Sequence, residues 1–211
     1  MPRASCRAPS PYPPPVLPFP SDRRPRRFAQ LLLGLVLFGT GVAFMVRANL
    51  GLSPWMVFHQ GVSVRSGLSI GTITVLTGLG VLLLWIPLRE RWGVGTVLNV
   101  MVIGPVLDGV LAVLPEASGL FGWVFMLGGV VTVGLGSGLY IGAAMGPGPR
   151  DGVMTGLARR GISVRAARTI IEVSVVVLGW VLGGSVGAGT LAFAVGIGPS
   201  VQFFLHRFDL R

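Results

Sequence analysis

Between Phe28 and Val46 the chain runs 19 residues without a charged side chain, about 28 Å of helix at 1.5 Å per residue, enough to cross the hydrocarbon core of a bilayer. Further apolar runs follow at Ile70 to Leu88, Val94 to Leu114, Leu120 to Ala144, Ala166 to Leu182 and Val186 to Leu205. In lipid each backbone polar group must find its partner inside the protein, so runs of this kind fold as helices. The expectation is an all-α membrane protein with six transmembrane helices. Such spans consume most of the 211 residues and leave no room for a soluble catalytic domain.

The composition agrees, with 52% hydrophobic and 11% charged residues, against about 25% charged in a soluble domain. All 17 basic residues are arginine. They fall between the apolar runs instead of forming one basic face, so they read as topology signals, and nucleic acid is not an expected partner. With the N-terminus in the cytoplasm, 15 arginines lie inside and only Arg47 and Arg65 outside, as the positive-inside rule requires. Both termini are therefore expected in the cytoplasm, with the protein multi-pass in the plasma membrane.

Residues 1–27 hold nine of the sixteen prolines and read as a disordered Pro/Arg-rich cytoplasmic tail. A cleaved signal peptide is the competing reading, but the run after it is longer than a usual signal core. Residues 28–206 read as a single membrane domain, with 207–211 as a cytoplasmic end. The one cysteine, Cys6, permits no intramolecular disulfide and no cysteine metal site.

Self-similarity at an offset of 94 to 95 residues divides that domain into repeat 1, about 28–114, and repeat 2, about 120–206. Gly34, Gly39 and Gly41 match Gly129, Gly134 and Gly136; Gly51, Pro54 and Gly61 match Gly146, Pro149 and Gly156. After a one-residue slip, Gly93, Gly95, Thr96, Ile103, Gly104 and Pro105 match Gly187, Gly189, Thr190, Ile197, Gly198 and Pro199. Three spans per copy is an odd number, so the second copy is expected upside down, the inverted duplication of secondary transporters. Between the first and second spans of each copy, Ser53–Pro54 and Gly148–Pro149 open a short helix, since proline suits the first helical position. Gly67 and Gly161 close them. These two segments are too short to span and read as interfacial or re-entrant.

The strings RANLGLSPWMVFHQG, GVGTVLNVMVIGPVLDG, GPGPRDGVMTGLARR and RTIIEVSVVVLGWVLGGSVGAGT resemble the YczE/YitT-type bacterial integral membrane proteins, and within them the YczE-like branch. The resemblance covers about Phe28 to Leu205. It implies a six-span or nearly six-span inner-membrane protein and carries no settled biochemical activity.

Enzyme signatures are weak. His59 and His206 are the only histidines, and no HExxH, paired metal ligands or nucleophile elbow exists. Ser53 reads as a helix cap, His59 as an interfacial side chain, and Trp55, Trp92 and Trp123 as interface anchors. GPGPRDG lacks the lysine of a phosphate-binding loop. No enzymatic activity, cofactor or metal is expected.

Polar groups at membrane depth are costly and so mark function. Those expected along a substrate or ion pathway are Arg47, Asn49, Asn99, Asp108, Arg150, Asp151, Glu172 and Gln202. Glu172 follows Arg168 by four residues and is placed to pair with it, as Asp108 is with Arg47. Gly51, Pro54, Gly134, Gly138, Gly142, Gly146 and Pro149 are assigned to helix packing or hinging.

The leading expectation is a secondary-transporter-like permease for a small molecule, with Arg150 at a helix N-terminus favouring an anion. The alternative is a non-transporting accessory or regulatory membrane protein acting through partners, for example in a secreted-metabolite pathway. Expected partners are membrane lipid, a small-molecule substrate, and a second copy or another membrane protein.

Overall fold

The computed structural model describes residues 24–88 and 90–210. The first 23 residues, with Cys6 and most of the expected tail, lie outside the described residues, as do Arg89 and Arg211. The described residues form eight α-helices and no strand: α1 (Arg24–Ala48), α2 (Pro54–Ser66), α3 (Ile70–Leu88), α4 (Val94–Val113), α5 (Gly119–Gly142), α6 (Pro149–Ala158), α7 (Val164–Val181) and α8 (Ala188–Phe208). Of these, α1, α3, α4, α5 and α8 are long and apolar enough to cross a membrane. The sixth expected span, α7, has 18 residues but carries Arg165, Arg168 and Glu172 and is not among those five.

α1 begins at Arg24, four residues ahead of the expected start at Phe28. The reason is tertiary: Arg27 is 5% exposed and donates to the carbonyls of Ala143, at 3.1 Å, and Leu210. One turn on, Gln30 donates to Leu139 and Phe208 carbonyls at 3.0 and 2.8 Å. These side chains tie α1 to the ends of α5 and α8, whose last carbonyls lack helical partners. α8 itself runs on through His206 and Arg207 to Phe208, past the expected end of the membrane domain.

Glycine decides where the helices cross. A Cβ on Gly34 would lie 2.7 Å from the Tyr140 amide nitrogen, and one on Gly136 would lie 2.6 Å from the Gly34 carbonyl. A second such meeting pairs Gly41 with Gly129. Backbones this close gain dispersion contacts that lipid cannot supply, which is how apolar helices associate in membranes. Gly134, Gly138 and Gly142 likewise admit Ser200, Phe204 and Phe208 of α8, while Gly39 admits Val106 of α4. Around these crossings Leu31, Leu35, Met45, Leu107 and Met126 are fully buried.

Two groups of helices result. α1, α4, α5 and α8 pack around the α1–α5 crossing, while α2, α3, α6 and α7 pack on one another. α3 against α4 joins the groups on one side; on the other, α7 and α8 barely touch.

The turns leading to α2 and α6 share one backbone path. Asn49 and Ala144 are left-handed at φ 51° and 55°, and Gly51 and Gly146 follow at φ 107° and 132°. Glycine is required at the latter two, because an added Cβ would lie 2.5 Å from the Gly187 nitrogen or 2.9 Å from the Gly93 Cα. Each turn is then fastened to a distant helix start: the Gly95 amide donates to the Met145 carbonyl at 2.9 Å, and the Gly189 amide to the Leu50 carbonyl at 2.7 Å.

Candidate functional site

A cavity of about 470 Å³ lies between the two helix groups. Pro54 and Pro149 occupy the first turns of α2 and α6, and both N-terminal ends open on it. Proline without an amide suits this position, and neither N-cap side chain bonds its helix end. Ser53 sits at the N-cap of α2 as expected, yet its side chain makes no capping bond. At α6, Asp151 reaches back to the Gly148 amide and the Tyr140 hydroxyl, half of a capping box. The indole of Trp85 in α3 holds this end in place by donating to the Pro149 carbonyl at 2.9 Å.

The wall formed by α2, α3, α6 and α7 is polar. Arg150 places its guanidinium 4.6 Å from the centre of the Trp55 ring. It makes no ion pair or hydrogen bond among the described residues. Arg168 and Glu172 of α7 pair at 2.9 Å, as their spacing predicts. His59 is fully buried, with Nδ1 3.0 Å from the Thr74 hydroxyl. That hydroxyl donates to the Ile70 carbonyl at 2.8 Å. It therefore accepts from His59 Nδ1–H, which leaves Nε2 as a bare acceptor. His59 Nε2 and Trp55 Nε1 are both buried without a partner. The opposite wall is largely apolar, with Val42, Ile103, Val133, Phe193 and Ile197, and with Asn99, Ser137 and Gln202 as its polar points.

Of the eight expected pathway residues, Asn99, Arg150, Asp151, Glu172 and Gln202 line this cavity, and Arg47, Asn49 and Asp108 do not. The expected Asp108–Arg47 pairing is replaced by two separate contacts. Asp108 accepts from the Ser69 hydroxyl at 2.5 Å and the Gly71 amide at 2.8 Å, capping α3. Arg47 pairs with Glu116 at 3.5 Å and donates to the Leu111 carbonyl. The open amides at the start of α3 lie nearer to Asp108 and take its charge first. Asn49 is exposed in its turn.

Among the residues assigned to packing, Gly134, Gly138 and Gly142 face α8, Gly51 and Gly146 form the two turns, and Pro54 and Pro149 start the short helices. The expectations of an interfacial His59 and an anchoring Trp55 are overturned, since both line the cavity. The signal for them was the helix-start motif itself: a short helix whose N-terminus opens on the cavity carries the residues after its proline inward. Trp92 and Trp123 are 51% and 40% exposed. No group of three or more metal-ligating side chains occurs among the described residues.

Residues 25–206 match the model of DUF6198, a family of unknown function. The chain is 40% identical over 178 residues to an uncharacterized protein of Haemophilus influenzae, covering 83% of this chain and 82% of that one. It is 30% identical over 185 residues to the uncharacterized membrane protein YczE of Bacillus subtilis, covering 86% of each. It is 23% identical over 179 residues to the uncharacterized protein YyaS of Bacillus subtilis, covering 75% of this chain and 82% of that one. No solved structure matches. The chain belongs to the DUF6198 family and is a YczE-like helical membrane protein.

Proposed function

We propose that this DUF6198 family member is a secondary-transporter-like permease for a small molecule of anionic character. In this reading it has six spans in two inverted repeats, and both termini lie in the cytoplasm of a cell whose plasma membrane holds it. One observation carries the reading: two short helices from separate halves of the chain direct their N-termini into a single cavity, where the Arg150 guanidinium makes no ion pair or hydrogen bond among the described residues. Helix N-termini turned toward a central site are how such proteins hold anionic groups.

The inverted repeat is supported by features recurring 94 or 95 residues apart. They include the left-handed pairs Asn49 and Ala144, Gly51 and Gly146, and Gly67 and Gly161, together with the two turn-fastening hydrogen bonds. Across the α1–α5 crossing, Gly34 meets Gly136 while Gly41 meets Gly129, the reciprocal exchange that a two-fold axis between the copies requires. α7 counts as the sixth span because Arg168 and Glu172 pair on the cavity side, which spares them the cost of facing lipid.

In this mechanism Arg150, Asp151, Glu172, Asn99 and Gln202 form the pathway, and the turns at Gly51 and Gly146 serve as hinges. Solute uptake by purified protein in liposomes, with and without a proton gradient, tests it. Saturable uptake that Arg150→Gln abolishes supports the permease. Uptake indifferent to the cavity residues, with partner proteins co-purifying, assigns the chain to the accessory class.

A further inference from the structure

We propose that the cavity takes a single-chain carboxylic acid drawn from the bilayer, with its head at Arg150 and Trp55 and its apolar tail leaving between α7 and α8. The proposal rests on the central cavity being the binding site, and it adds the ligand's class and its route of entry.

The polar end defines the head. Of the four charged side chains on the cavity, Arg168 and Glu172 satisfy each other, and Asp151 is held by the Gly148 amide and the Tyr140 hydroxyl. Arg150 has an aromatic ring beneath it and the Asp151 and Glu172 carboxylates within electrostatic reach, but no anion in direct ion-pair contact among the described residues. Beside it, Trp55 Nε1–H lacks an acceptor and the wholly buried His59 Nε2 lacks a donor. A buried polar atom without a partner costs about 1–3 kcal/mol, so these atoms mark a place that a ligand completes. A carboxylate supplies acceptor oxygens for both Arg150 and Trp55 Nε1–H.

The side opening defines the tail. α3 and α4 close on each other at Gly71, where a Cβ would fall 2.5 Å from the Asp108 carboxylate, and at Gly78, where it would lie 3.0 Å from Val100. The repeat puts Arg165 and Glu172 at the corresponding positions of α7, where glycine is absent and Glu172 pairs with Arg168 on its own helix. On α8, Gly198 corresponds to Gly104. Gly104 would meet the Val75 side chain at 2.6 Å, whereas Gly198 lines the cavity and would meet nothing within 4 Å. Phe193, Ile197 and Val201 run along the same edge. Outside it, Val177 and Trp180 on α7 and Leu191 and Val195 on α8 are exposed, so the mouth lies among surfaces that belong in hydrocarbon. A soluble anion would have to cross that apolar edge, whereas an amphiphile already in the bilayer matches it along its length.

The test uses the full chain in phosphatidylcholine nanodiscs titrated with 2-bromododecanoic acid, whose bromine beside the carboxyl quenches an indole at the head site. The Trp55 component is taken as the difference from Trp55→Phe. Saturable quenching is expected, with 2-bromododecan-1-ol giving only unsaturable partition and excess acetate failing to compete. Arg150→Gln should raise the midpoint at least tenfold, and Arg150→Lys less than that. Gly198→Leu adds bulk to the mouth, where space is free, and leaves the polar end alone; it should raise the midpoint at least fivefold.

Equal quenching by acid and alcohol, or an Arg150→Gln midpoint equal to that of the unaltered protein, overturns the proposal. Displacement by acetate also overturns it and assigns the cavity to small soluble anions, leaving the permease reading in place. Saturable acid binding without any flux keeps this proposal and removes the permease.

Discussion

Arg150 stacks on Trp55 with its guanidinium carbon 4.6 Å from the ring centre, and the two residues hold the same position in the two short helices, each directly after the first proline. The stack joins the halves of the chain at the cavity. A buried cation–π contact contributes about 2 kcal/mol, so Trp55→Ala should lower the thermal midpoint of the detergent-solubilised protein by several degrees. Trp55→Phe keeps the ring and should lower it by less than half as much, read by a fluorescence-monitored melt.

Asp108 caps α3 and lies away from the cavity. Asp108→Ala should therefore cost about 1 kcal/mol, as the loss of a helix cap does, and leave ligand binding in the cavity within twofold of the unaltered protein. A melt and a binding titration on the same sample check both. Lost binding with an unchanged melt would place Asp108 in the pathway after all.

Gly136→Ala should destabilise the fold, because its Cβ would sit 2.6 Å from the Gly34 carbonyl and from the Phe38 nitrogen, both backbone atoms that cannot turn aside. Overpacking of this kind costs about 1–3 kcal/mol. Gly80→Ala in α3 meets nothing within 4 Å and should be neutral or stabilising by up to about 1 kcal/mol, since alanine favours the helix. Size-exclusion profiles after graded heating separate the two outcomes.

Orientation is open to direct measurement at the ends of the short helices. Ser66 and Ile162 are both exposed there. Single cysteines at these positions, with Cys6 replaced, should differ on intact cells: an impermeant maleimide should label position 66 and spare position 162 until the membrane is opened. Labelling of both from outside contradicts the inverted repeat.

The cavity was half legible in advance. Arg150, Asp151 and Glu172 stand out because charge at membrane depth is costly wherever it points. His59 and Trp55 do not, since an aromatic or imidazole ring suits an interface as well as an interior. Glycine at positions 71 and 78 of α3 and arginine and glutamate at positions 165 and 172 of α7 are plain in the sequence. That α7 and α8 barely touch appears only when the helices are placed side by side.

The amino-acid sequence by itself determined the helical segments, the two proline-started short helices and the glycines at which backbones meet. These follow from local needs: backbone hydrogen bonds closed within a segment, a missing amide placed where none is used, and room for another helix. Only the tertiary structure decided which charge meets which partner. Asp108 binds the start of α3 instead of Arg47, Arg27 joins the ends of three helices, and Arg150 stacks on its own counterpart. An ion or hydrogen bond depends on a few ångströms between residues far apart in the chain, and no spacing along the sequence encodes that distance.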